Sequence, residues 1–128
     1  MKVIVADDSR VVRSIIDKTV RSIGCEAIHA SNGQEVLDLL EARGKEIEFI
    51  LLDWNMPVMN GIDVLKSMQD DGHYQTIPVL MISTESEDEK IMQALNAGAR
   101  GYLSKPFTPD KLISTIHHVL DKQKHNEK

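Results

Sequence analysis

Cysteine is almost absent from this chain: Cys25 is the only one in 128 residues, so no intramolecular disulfide can form. That fits a reducing compartment, where a single cysteine reads as a small buried hydrophobe. Long apolar runs are lacking too. The run at the N-terminus, Val3 to Ala6, is too short for a secretory leader and meets two acids at once. No stretch approaches the roughly 20 apolar residues of a membrane-spanning helix. The expectation is a cytoplasmic protein with no membrane insertion. A basic excess is also missing. The formal net charge is −5, which opposes nucleic acid and anionic lipid, and no arginine-rich arm offsets it. There is no linker, internal repeat or low-complexity segment.

What is present is enough for one compact domain. Apolar residues make up 41% and charged residues 27%, a balance that excludes disorder. Residues 1–122 read as one domain. The polar stretch from Lys122 is expected to fray, leaving 123–128 as a tail.

Short apolar runs alternate with helical spacing. The runs are Val3 to Ala6, Ala27 to His29, Phe49 to Leu52, Val79 to Ile82 and Tyr102-Leu103. Between them the apolar residues recur at one, three and four, as in Val11, Val12, Ile15, Ile16, Val20 and Ile23. Val36 to Leu40, Ile62 to Met68, Met92 with Leu95, and Leu112 to Leu120 continue the pattern. Gly24, Gly44, Gly72 and Gly98 each follow a helical stretch, where a left-handed residue ends a helix. Ser86 with Glu89 reads as a reciprocal cap, and Thr108-Pro109 as a cap followed by proline in the first turn. Strand, helix, strand, repeated, implies parallel pairing through right-handed crossovers. The fold class is α/β: a flavodoxin-like (βα)5 doubly wound parallel five-stranded sheet, strand order 2-1-3-4-5.

Such a sheet places the carboxyl ends of all its strands on one edge, where ligands bind. Asp7 and Asp8 follow the first run, Asp53 ends the third, Ser83 and Thr84 follow the fourth, and Lys105-Pro106 lies beyond the fifth. Each alone has an ordinary explanation as a cap, a turn residue or a solvated charge. Together they bring three carboxylates, hydroxyls and one ammonium to one edge. The carboxylates repel one another, and a hard divalent cation such as Mg2+ relieves this with oxygen ligands. A metal and a lysine facing one carboxylate suit a phosphoryl group, with Asp53 as the attacking nucleophile.

The same residues, with Asp53-Trp54-Asn55-Met56-Pro57, Met59-Asn60-Gly61, Ala97-Gly98-Ala99 and Lys105-Pro106-Phe107-Thr108, resemble the receiver domains of response regulators. Within that family they resemble the CheY-like chemotaxis type. The similarity runs from Val3 to about Leu120. It implies that Asp53 is the phosphorylation site and that Lys105 and Ser83 assist the chemistry. It implies that Asp8, Asp53 and the backbone carbonyl of Asn55 hold Mg2+ directly, with Asp7 acting through water. Ser83 and Tyr102 become the switch pair, and the bond before Pro106 is expected to be cis. Asn55 and Glu85 stand at the two positions that tune phosphoryl lifetime. Thr84 stands where alanine or glycine is usual, and is expected to narrow access and lengthen a short lifetime. The output surface becomes the fourth helix, fifth strand and fifth helix. Met92 and Leu95 are expected to be buried there, leaving Ile91 partly outward beside Tyr102.

The implied function is a stand-alone response regulator of a two-component system. It takes a phosphoryl group from a sensor histidine kinase and signals by protein contacts, with chemotaxis and the flagellar motor switch as the leading target. A phosphorelay intermediate, a phosphate sink and a phosphorylation-independent interaction module are the alternatives. Beyond autocatalytic phosphorylation and dephosphorylation it is not expected to be an enzyme. A monomer or a weak phosphorylation-dependent dimer is expected. An aspartyl phosphatase of the haloacid dehalogenase type would need an acid where Asn55 stands. A flavin carrier would not place Asp7-Asp8 in its phosphate loop. The histidines, His29, His73, His117, His118 and His125, read as incidental. Trp54, next to Asp53, is expected to report metal binding by fluorescence.

Overall fold

A computed structural model describes the backbone of residues 1–126 and the side chains of residues 1–121. Its elements alternate: β1 (Lys2–Ala6), α1 (Arg10–Ser22), β2 (Glu26–Ala30), α2 (Gly33–Arg43), β3 (Ile47–Leu52), α3 (Gly61–Asp70), β4 (Val79–Ser83), α4 (Asp88–Asn96), β5 (Gly101–Ser104) and α5 (Pro109–Asn126). The strands form one sheet in the order β2-β1-β3-β4-β5, and every pair is parallel. The α/β expectation and its strand order therefore hold.

The central strands are apolar on both faces because both faces are covered. On one side Ile4, Ile50, Leu52 and Met81 pack with Val36, Leu40, Val64 and Leu65 of α2 and α3. On the other Val3, Val5, Leu51 and Ile82 pack with Ile16, Val20, Leu112 and Ile116 of α1 and α5. β2 is the exception, with Glu26 and His29 exposed at the sheet edge. Ser9, Asn32 and Asn60 start α1, α2 and α3, each accepting an otherwise unpaired amide, from Val12, Glu35 and Asp63. Thr108 does the same for the amide of Lys111.

Several local expectations are corrected. Gly24 and Gly98 take positive φ after their helices, but Gly44 is right-handed and enters a 3-10 turn, and Gly72 does not take positive φ either. Ser86 does not cap α4: Glu87 holds that position, without a side-chain bond to the helix. α4 buries Ala94, not Met92 and Leu95, which are exposed, while Ile91 is half-buried. A short helix lying close on the sheet uses the small residue for contact and turns the bulky ones out. α5 extends to Asn126. The side chains of Lys122 to Lys128, His125 among them, lie outside the described residues.

Candidate functional site

The strand ends assemble the expected cluster. Asp53 follows β3 and is buried, with its amide on the carbonyl of Ala6 at 2.9 Å. Asp7 is buried beside it, and Asp8 stands exposed at the mouth. One carboxylate oxygen from each of Asp7, Asp8 and Asp53 lies within 4.8 Å of the others. Gly61 is what permits the tight loop after Asp53. Its amide donates to Trp54 O at 2.8 Å, and a Cβ there would stand 2.4 Å from the carbonyl of Asp53.

Asp7 is not a helix cap; Ser9 fills that role. Asp7 instead accepts from the amide of Ser9 at 2.8 Å through one oxygen and from Lys105 Nζ at 2.6 Å through the other. Lys105 also stands 3.4 Å from Asp53. The Lys105-Pro106 bond is cis, as expected.

Burial, and after it the charge of Asp7, lifts the Asp53 carboxyl from its ordinary 3.8 to about 6; Lys105 opposes this and is outweighed. Burial works against the Lys105 charge, but the bond to Asp7 and the charge of Asp53 prevail, so its pKa is raised. Lys105 is thus committed largely to Asp7. Three acids share this one ammonium, so negative charge remains in excess, which a hard cation with oxygen ligands would neutralise. The three acids fit such an ion.

Ser83 is fully buried, and its hydroxyl accepts from the amide of Glu85 at 3.2 Å. The hydroxyl of Tyr102, half-buried on the core, donates to the carbonyl of Glu85. Burial raises the Tyr102 pKa, and the charges of Glu85 and Asp53 add to it against a bond to Ser83. Asn55 Nδ2 reaches Glu85 Oε1 at 3.4 Å. The two residues expected to tune lifetime are therefore in contact, and Thr84 is exposed between Ser83 and Glu85. Ile91 lies half-buried in the first turn of α4, on the expected output face.

Sequence reasoning missed three features. Lys90 of α4 places its ammonium 5.2 Å from the ring centroid of buried Trp54. His29, treated as incidental, holds Asp17 at 2.6 Å and accepts from Arg13, whose guanidinium also donates to the carbonyl of Asp7 at 2.6 Å. The bond from His29 lowers the Asp17 pKa. The third is Val58, in the loop after Asp53, with φ of 68°. A positive φ at a β-branched residue is an outlier that costs about 1–3 kcal/mol. The turn residues around it were visible in the sequence, but a valine within them gave no sign of a left-handed conformation.

A buried aspartate at a strand end, with two further acids and a lysine beside it, forms an acidic, cation-compatible site at the carboxyl edge of a doubly wound sheet. The comparisons with known proteins agree. Residues 3–117 match the response regulator receiver domain, and the chain belongs to that family. It is 39% identical over 121 residues to the chemotaxis protein CheY1 of Helicobacter pylori, covering 94% of this chain and 97% of the relative. It is 36% identical to the chemotaxis protein CheY homolog of Campylobacter jejuni, covering 94% and 92%. Among solved structures it is similar to the chemotaxis protein CheY4 of Vibrio cholerae, with a TM-score of 0.85 at 35% identity, covering 92% of this chain and 97% of that one. Among the described residues no helix is long and apolar enough to cross a membrane.

Proposed function

We propose that this receiver is a phosphorylation switch acting in the cytoplasm, which takes a phosphoryl group from a sensor histidine kinase onto Asp53 and passes the signal on by protein contacts. The observation that carries this reading is the buried Asp53 carboxylate with Lys105 Nζ at 3.4 Å and two further acids beside it. Asp7, Asp8 and Asp53, with the carbonyl of Asn55, would hold Mg2+. Bound there, the ion would neutralise the acids and the charge on the transferring phosphoryl group.

An Asp53 oxygen attacks phosphorus in line, forming an acyl phosphate as the P–N bond of the phosphohistidine breaks and the imidazole leaves. The ammonium of Lys105 is placed to meet one phosphoryl oxygen. The hydroxyl of Ser83 turns from the Glu85 amide to meet another. That shift removes one of the bonds on Glu85, where Tyr102 is also fastened. The signal so reaches the face formed by α4, β5 and α5, with Ile91 and Tyr102 as contacts. Catalysis is limited to the protein's own phosphorylation and dephosphorylation.

The names of the relatives favour chemotaxis, and a flagellar motor component is the proposed target. Tryptophan fluorescence tests the reading, with Mg2+ titrated in and a small acyl or amido phosphate added, on parent and Asp53→Ala protein. A metal response at Trp54, then a donor-dependent change and a mass increase that Asp53→Ala lacks, is expected. Metal binding without any mass increase in the parent would defeat it.

A further inference from the structure

Each polar atom of Asp7 has a partner. Its amide donates to the carbonyl of Ala30 at 3.1 Å. Its carboxylate accepts from the Ser9 amide at 2.8 Å and from Lys105 Nζ at 2.6 Å. Its carbonyl accepts from Arg13 Nη1 at 2.6 Å. Asp8 is the opposite: it is exposed, and its carboxylate makes no hydrogen bond or ion pair with the described residues. Yet one of its oxygens lies within 4.8 Å of those of Asp7 and Asp53. The backbone alone aims it, and the Asp7 carbonyl is one end of the peptide that carries it.

Arg13, which holds that carbonyl, is itself placed from outside the site. Its Nε donates to His29 Nδ1 at 3.3 Å, and His29 Nε2 meets Asp17 Oδ2 at 2.6 Å. The other Asp17 oxygen accepts from Arg21 at 2.7 Å. A neutral imidazole with its proton on Nε2 makes both of its bonds at once. Arg13 and Asp17 stand one turn apart on α1, and His29 reaches them from the edge strand β2. Fixing one rotamer of an arginine costs entropy, and the bond to His29 offsets part of that cost. Glu35 of α2 is a competing acid. Its pKa is held low first by the bonds from Ser31, and the charge of Arg13 acts on it as well.

We propose that Arg13 and His29 are positioning residues of the cation site: His29 fixes the guanidinium, and the guanidinium fixes the Asp7-Asp8 peptide so that Asp8 faces the ion. This rests on the reading of Asp7, Asp8 and Asp53 as the acids that hold Mg2+. Groups that orient metal ligands without touching the metal commonly govern tenfold or more in affinity.

The test compares the parent with Arg13→Met, His29→Leu and His29→Gln, whose amide can still accept from Arg13 and donate to Asp17. Mg2+ is titrated against Trp54 fluorescence and by calorimetry, and amide exchange and urea unfolding are followed without metal. Half-saturating Mg2+ is expected to rise about 10-fold in Arg13→Met and about 3- to 5-fold in His29→Leu, while His29→Gln stays within about 2-fold of the parent. Without metal, the Asp7 and Ser9 amides should exchange faster in Arg13→Met and His29→Leu. The urea midpoint of His29→Leu should stay near the parent value, because His29 is exposed. If Arg13→Met does not fold, the two His29 variants decide. Equal Mg2+ midpoints for His29→Leu and the parent would overturn the proposal. So would a loss in His29→Gln as large as in His29→Leu, which would show that the bonds to Arg13 and Asp17 are not what matters. A parent that binds no Mg2+ by either method would overturn the metal reading, and this proposal with it.

Discussion

Replacing Asp53 by asparagine should make the metal-free protein more stable while abolishing its phosphorylation. The folded Asp53 carboxyl sits at about 6 against 3.8 for the free group, raised by burial and then by Asp7. Folding therefore favours its protonated form. That contribution is fully present below about pH 4 and is lost as pH rises through about 6. Roughly two pKa units correspond to about 3 kcal/mol as a ceiling. The mouth of the site is open at exposed Asp8, and solvent screening there leaves about 1–2 kcal/mol. Asparagine keeps the shape and removes the charge, and Lys105 retains Asp7 at 2.6 Å. Urea unfolding without metal should therefore show Asp53→Asn about 1–2 kcal/mol more stable than parent near pH 8, the gain fading to nothing near pH 4. Saturating Mg2+ should reverse the order near pH 8, because only the parent keeps the full set of acids to bind it. A gain that persists unchanged at pH 4, or a parent that stays the less stable protein in Mg2+, would refute charge crowding at this site.

Lys105→Ala leaves buried Asp7 without its cation, and should cost about 3 kcal/mol in metal-free urea unfolding and slow acceptance from acetyl phosphate. A loss under about 1 kcal/mol would show that Asp7 is satisfied without it. Thr84→Ala, at the exposed rim, should shorten the acyl phosphate lifetime, read by loss of label from the phosphorylated protein; an unchanged decay would remove Thr84 from lifetime control. Gly61→Ala drives a Cβ to 2.4 Å from the carbonyl of Asp53, and should destabilise by about 1–3 kcal/mol and weaken the Trp54 response to Mg2+.

Fold and site were legible to different depths. The apolar runs set off by helical spacing marked all five strands, and the strand-end rule gathered Asp7, Asp8, Asp53, Ser83 and Lys105. Backbone topology decides such groupings, and topology follows from pattern. The surface helix α4 was misjudged because period alone does not say how closely a helix approaches the sheet. Ala94 can be the contact only when the approach is tight. Among helix starts only that of α5, where Thr108 bonds the first turn, was read correctly. The start of α4 was not, because Glu87 makes no such bond. Pairs such as His29 with Asp17, and Lys90 over Trp54, depend on which helix face meets which strand or loop. Val58 was invisible for another reason: its conformation runs against the preference of its own side chain.

Glu85 joins three strand ends at one residue. Its amide is held by Ser83 of β4, its carbonyl by Tyr102 of β5, and its carboxylate by Asn55 in the loop after β3. A residue fastened at three points couples its neighbours by summing their grips. Releasing one fastening lowers the free energy needed to open the loop, and the other two set what remains. Amide exchange at Glu85 would then be graded: slow with all three in place, faster as each is lost, and fastest when Ser83 has turned to another oxygen.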